Sequence, residues 1–228
     1  MFTNVNLAAP IGALAFLGTG LLFLTAGVIF LYTVIKGQLA GTKFVISTAA
    51  VIAAVYMGAV LFFSVKSGEH LLARGQEKYF CEIDCHLAYS IVDVRQVKTL
   101  GNDSNQASAQ GMFHVVTVKT RFDENTISPT RGNGTLTPNS RVARIVDALG
   151  RQYEPSSTGE RALAQSEGTG TALTTPLRPG ETYPTKLVFD LPLDASRPTL
   201  LINEGEWMTH FIIGHENSPL HKKTRFLL

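Results

Sequence analysis

The sequence predicts a membrane-anchored all-β protein, in which two N-terminal transmembrane helices are followed by an antiparallel β-sandwich. Three observations carry this expectation. Two long, uncharged apolar runs precede residue 66, a period-two alternation begins near residue 79, and Gly, Pro, Asn and Asp punctuate the apolar segments that follow. The 228 residues suffice for one sizeable domain plus an anchor. The chain divides into a two-helix hairpin over residues 1–65, a neck over 66–78 and a sandwich over 79–228.

The first run, residues 11–35, contains no Asp, Glu, Lys or Arg. At about 1.5 Å rise per residue it is about 37 Å long, enough to cross a hydrocarbon core of about 30 Å. A signal peptide would need a basic N-terminus and a shorter apolar core. The second run, residues 44–65, is about 33 Å long by the same rise. The link between them, residues 36–43, is short enough to force an antiparallel hairpin. Its Lys36 and Lys43 favour a cytoplasmic link, placing the C-terminal domain outside the cytoplasm of a multi-pass cell-membrane protein. Ala50, Ala54 and Gly58 stand four residues apart and form a small-residue row suited to close helix packing, first of all against the hairpin's own first helix with its Gly12, Gly18, Gly20 and Gly27.

After the neck, where Leu71, Leu72 and Ala73 read as a continuation of the second helix, residues 79–91 alternate. Tyr79, Cys81, Ile83, Cys85, Leu87, Tyr89 and Ile91 share one face of a single expected strand, with a bulge near Ile91 and Val92 where the phase slips. Further strands are expected over 112–122, 141–147, 185–191, 200–202, 207–213 and 224–228, and a short helix around 160–165. Residues 101–111 are poor in hydrophobics and read as a hairpin tip.

The string Asp147-Ala-Leu-Gly150-Arg-Gln-Tyr153, then Leu177-Arg-Pro179-Gly180-Glu181, then Lys186-Leu-Val-Phe-Asp-Leu-Pro192, resembles an uncharacterised family of bacterial immunoglobulin-like extracytoplasmic domains. The resemblance covers about residues 113–202. It implies an immunoglobulin-like sandwich outside the cytoplasm, used as a binding or accessory module, and its motifs are structural. Two spans, where that family has one helix or a lipid, add weight to a partnership within the membrane.

The net charge of +2 is small for this length, and Lys and Arg are scattered among Asp and Glu, which speaks against a nucleic-acid partner. Two cysteines are too few for a disulfide scaffold or a four-cysteine zinc site. Cys81-Glu-Ile-Asp-Cys85-His86 is the most suggestive string for chemistry. It has one residue too many between its cysteines for haem attachment. It resembles the copper loop of cytochrome oxidase subunit II in that spacing and in the two preceding spans, but Tyr89 and Val92 stand where that loop has His and Met. In a regular strand Cys81 and Cys85 lie about 13 Å apart, too far for a disulfide or a shared metal, with His86 on the other face. The pair therefore reads as two buried thiols, and a bend at residues 82–84 would restore the metal, haem or disulfide alternatives. A second set, Met208, His210, His215, Glu216 and His221, is soft enough for copper or zinc but follows no known ligand spacing, and reads otherwise as a polar surface turn. No hydrolase, phosphate-loop or zinc-protease motif is present.

The leading expectation is a non-enzymatic accessory module without a cofactor, in contact with membrane lipid and with a membrane complex or further copies of itself. The alternative is a copper- or haem-bearing protein using Cys81, Cys85, His86 and His210.

Overall fold

The computed structural model describes residues 8–80, 86–102, 105–168 and 170–228. Two long helices come first, α1 (Ala8–Ile35) and α2 (Leu39–Lys66), both long and apolar enough to cross a membrane. The link is shorter than expected, because Leu39 already begins α2. Gly37 adopts the left-handed conformation (φ +66°) and the Gln38 N–H donates to the Thr33 carbonyl at 2.8 Å, which closes α1 as a glycine-capped end. Thr42 Oγ1 donates to Thr33 Oγ1 at 3.1 Å, and Gly41 lies against the Thr33 side chain.

These contacts fix the rotation of α2. Gly12, Phe16, Thr19, Ala26, Phe30 and Thr33 of α1 are among the less exposed positions, as are Thr42, Val45, Ala49, Ile52, Tyr56, Ala59 and the buried Val60 and Ser64 of α2. Steps of three and four residues are those of a left-handed helix pair. Ala50, Ala54 and Gly58 consequently face away from α1, and a Cβ on Gly58, Gly18, Gly20 or Gly27 would meet nothing within 4 Å. The hairpin does not use the row that its spacing suggested.

The rest of the chain forms two sheets. One has the order β1-β9-β8-β5-β6, built from β1 (His70–Leu72), β9 (Thr224–Leu227), β8 (Thr199–Glu204), β5 (Arg141–Val146) and β6 (Gln152–Tyr153). The other has the order β2-β3-β4-β7, built from β2 (Lys78–Phe80), β3 (Leu87–Leu100), β4 (Ala107–Phe122) and β7 (Thr182–Leu191). All pairings are antiparallel except β1 with β9. Tyr89, Ile91, Val116, Val118, Phe122 and Phe189 from one sheet meet Ile145, Leu200, Ile202 and Phe226 from the other in a single buried cluster. The alternation that marks each strand is what delivers one apolar face per sheet.

The four-stranded sheet is covered on its outer face as well. Helix α3 (Ser157–Ser166), capped by the Ser156 hydroxyl accepting the Gly159 N–H, lays Ala162 and Leu163 on Phe113, Val115 and Val188. Ala107 and Ala109 lie in the same cluster. These small residues explain why residues 107–111 looked like loop: their alternation is real, but Ala107 and Ala109 pack in the cluster under the helix, and the Leu191 backbone leaves no room for a Cβ at Gly111. The chain reverses within residues 101–106 instead. The bulge expected after Ile91 is present, as a register shift between Ile91 and Asp93 that leaves Val92 outside.

Three other expectations are corrected. Leu71 and Leu72 belong to strand β1 rather than to α2, because the Ser67 cap ends the helix and Leu72 enters the core. Residues 79–91 are not one strand. Tyr79 pairs with Ala88 and Phe80 with Leu87, so the chain reverses direction between Phe80 and Leu87. The expected strand over 207–213 is a 3₁₀ turn, Trp207–Phe211, begun by Glu206, whose carbonyl accepts both the N–H and the hydroxyl of Thr209.

The seat of α3 gives a test. A Cβ on Gly159 would stand 2.6 Å from Val188 Cγ1 and 3.1 Å from Phe113. Gly159→Val should destabilise the full chain in detergent by about 1–3 kcal/mol in denaturant unfolding, and Leu163→Ala, emptying a fully buried position, by about 2–5 kcal/mol.

Candidate functional site

The most unusual chemistry of the described residues is a set of charges buried between the two sheets. Lys78, at the start of β2, is buried together with its ammonium group. The ammonium donates to Glu216 Oε2 at 2.5 Å, to the Ile202 carbonyl of β8 at 2.8 Å and to the Thr224 carbonyl of β9 at 3.3 Å. Glu216 also accepts the Thr224 N–H, and Lys223 donates to its carbonyl. One amine of the four-stranded sheet thus grips two strands of the other sheet and the turn between them. Burial pulls the pKa of Lys78 below the usual lysine range against the attraction of Glu216. For Glu216 burial acts upward, but Lys78 and the Thr224 N–H outweigh it and hold the carboxyl below its ordinary value.

Beside this pair, Arg141 and Glu204 are register partners on β5 and β8, with 3 % and 1 % of their side chains exposed and 3.1 Å between Nη1 and Oε1. The Arg141 guanidinium lies over the Phe80 ring at 4.2 Å and near that of Tyr89 at 5.6 Å, a cation–π contact across the sheets. His215 Nε2 lies 3.4 Å from Glu204 Oε2, while its Nδ1 accepts the Asn217 N–H at 3.0 Å. Asn217 in turn donates to the Glu204 carbonyl and to Thr209 Oγ1. The expected polar surface turn is therefore wrong for His215, which is buried, as are its neighbours Asn217 and Ser218. It failed because no local pattern marks Lys78, Arg141, Glu204 and Glu216; only strand register brings them together.

A second network lies on the other face of β2. Arg121 forks onto Glu77 at 2.8 and 2.6 Å and reaches Asp123 at 3.1 Å. The Tyr79 hydroxyl donates to Asp123 Oδ2 at 2.5 Å, and the Asp123 N–H donates to the His86 carbonyl at 2.8 Å. Both flanks of the cysteine-bearing stretch are thus fastened to Asp123. Burial and the bond to Asp123 raise the Tyr79 pKa. Burial of Asp123 is outweighed by Arg121, Tyr79 and the Asn125 N–H, which hold its carboxyl well below the usual range.

Cys81 and Cys85 lie outside the described residues. On either side of them Phe80 and Leu87 are antiparallel register partners, so residues 79–91 do not run on as the single strand assumed for that separation. His86 is buried, with Nδ1 2.7 Å from Thr126 Oγ1 and its ring stacked on Phe122. His210 is exposed on the 3₁₀ turn, its Nδ1 3.0 Å from the Trp207 carbonyl. Among the described residues no three of His, Cys, Asp and Glu form a group that could hold a metal.

The residues that carried the sequence resemblance serve turns and joints. Asp147 accepts the N–H groups of Leu149 and Arg151, the Arg151 guanidinium and the Tyr153 hydroxyl, around Gly150 with φ +79°. Asp190 accepts the Gln110 and Gly111 N–H groups at 2.7 and 3.0 Å.

No family model matches the chain and no curated protein matches it. Solved structures with some likeness include a secreted protein of Mycobacterium tuberculosis, MPT63, at 15% identity, covering 72% of this chain and 100% of that one with a TM-score of 0.43. A conserved hypothetical protein of Bacillus anthracis shares 14% identity over 58% of this chain and 89% of its own, with a TM-score of 0.42. The yjhA protein of Bacillus subtilis shares 12% identity over 69% and 98%, with a TM-score of 0.40. Likeness of this degree assigns neither family nor function.

Breaking the Lys78–Glu216 pair leaves a buried charge alone. Glu216→Gln should lower stability at neutral pH by about 3 kcal/mol, and the double change Lys78→Met with Glu216→Leu should recover most of that loss. Because the folded pKa of Glu216 is lowered, its contribution is complete above the unfolded value and lost as pH falls through the folded one. Denaturant unfolding between about pH 5 and 3 should therefore show a shallower acid loss for Glu216→Gln than for wild type.

Proposed function

We propose that the chain is a non-enzymatic accessory module: an immunoglobulin-like sandwich held outside the cytoplasm at the cell membrane by a transmembrane hairpin, serving as a subunit or stabiliser of a membrane protein complex. The observation that carries this reading is the hairpin itself. Both helices are long enough to span, and their apolar side chains are exposed almost throughout, unlike the core helix of a water-soluble protein. An apolar cylinder of that size calls for lipid or other helices around it. Ala50, Ala54 and Gly58 lie on its outward side, where another chain's helix would meet them. The charge clusters pair internally and brace the fold, which is the behaviour of a scaffold. Lys36 in the link favours a cytoplasmic position for that end.

Extraction in mild detergent followed by affinity purification should recover the chain with a partner, or as a homo-oligomer, in stoichiometric amount. Gly58→Leu should release that partner while leaving the fold intact. A wild-type chain that elutes alone, before and after cross-linking, would count against the accessory role.

A second reading is a copper- or haem-bearing redox or delivery protein using Cys81 and Cys85. The register pairing of Phe80 with Leu87 favours it, because it brings the two flanks of the cysteine-bearing string together. Purified protein should then carry metal in proportion to protein and absorb visible light, and a colourless, metal-free preparation would remove this reading.

A further inference from the structure

Four large apolar side chains are exposed on one short stretch. Trp207 is 68% exposed, Met208 47%, Phe211 39% and Leu220 72%. Trp207 and Phe211 meet edge to face, with ring centroids 5.9 Å apart. The stretch is held firmly. The Ser218 hydroxyl donates to the Ile212 carbonyl at 2.6 Å, and Asn217 ties Thr209 to Glu204. Leu220 even occupies the left-handed region, at φ +63°, which is costly for a branched side chain.

The same stretch is fastened to the helical hairpin at three levels. Tyr56 donates its hydroxyl to the Phe211 carbonyl at 2.8 Å. Gly12 of α1 approaches the Ile213 carbonyl so closely that any Cβ would collide with it. The Lys222 N–H donates to Ser67 Oγ at 2.8 Å, just beyond the end of α2. Tyr56 precedes Lys66 by about 15 Å of helix. The stretch therefore leaves the sheets, descends beside the outer part of the hairpin, and returns at Ser67.

We infer that Trp207–Phe211, with Leu220, is a third lipid-contacting element, which enters the leaflet on the domain's side with its apolar side chains seated among the phospholipid chains. This rests on the reading of α1 and α2 as spans. Once they span, the bond from Tyr56 sets Phe211 well below the headgroups, while Gly12, near the outer end of α1, holds Ile213 closer to the surface. Backbone at such depth must find internal partners, and the Tyr56 hydroxyl supplies one to the carbonyl at the end of the 3₁₀ turn. Lys222, bonded to Ser67 just beyond α2, stands at the level of the headgroups.

Trp207 is the only tryptophan in the chain, so intrinsic fluorescence reports on this element alone. The full-length protein would be reconstituted into phosphatidylcholine vesicles, plain or brominated on the acyl chains, and first floated on a density gradient. Bromines on the acyl chains should remove most of the emission, and aqueous iodide little. Equal emission in plain and brominated vesicles overturns the inference, whether iodide reaches the ring or a second copy shields it. A chain that does not float with vesicles brings down the spanning reading and this inference together; one that floats with unquenched Trp207 brings down this inference alone.

Discussion

One ammonium group ties the domain together. Lys78 stands on a short edge strand of one sheet, yet its Nζ is held by a carboxylate and two carbonyls belonging to the other sheet and its connecting turn. An isolated charge in that place would be costly by several kcal/mol, so the surrounding chain must deliver its acceptors in register. Residues 213–224 are thereby bound to wrap across the end of the two sheets. Arg141 and Glu204 repeat the device one strand along, with the Phe80 and Tyr89 rings packed against the guanidinium. Apolar burial holds the sheets face to face, and these charges define how they are aligned.

The same wrapping joins the domain to its hairpin. Between the end of α2 and strand β1 only residues 67–69 intervene, and Ser67 is bonded to both Ser64 and Lys222. Arg225 reaches Glu69 across the β1–β9 edge. The expected polar neck is therefore part of the sheet and its joint, so the domain is held close to the helices instead of swinging on a tether.

The regular elements were legible wherever burial follows a period. The two apolar runs, the strands that begin at Arg141 and end at Leu191, the bulge after Ile91 and the helix around Glu160 all follow directly from alternation, turn residues or length. The errors share one cause, which is that partners distant in sequence decide the outcome. An unbroken alternation through Tyr79 and Tyr89 concealed a reversal that inverts the phase: Lys78 and Phe80, not Tyr79, share the buried face with Leu87 and Tyr89. Residues 207–213 are rich in strand-forming aromatic and β-branched residues, yet Glu206 and the Tyr56 hydroxyl satisfy a turn there. Ala107 and Ala109 are buried under a helix whose position no local pattern reveals. The ionic cluster was invisible for the same reason, since each of its members is an ordinary charged residue until register assembles them.

The parallel pairing of β1 with β9 has a consequence for how the molecule matures. His70 and Leu72 leave the ribosome soon after the hairpin, whereas Thr224 and Phe226 follow only after every other strand of the two sheets. Until they do, the edge next to the helices is open and offers unpaired backbone groups to any neighbour. Contacts this distant along the chain form slowly. This sheet can close only after β9 has cleared the exit tunnel, so the nascent chain passes through an aggregation-prone interval in which a chaperone or an early-bound companion would have the most to protect.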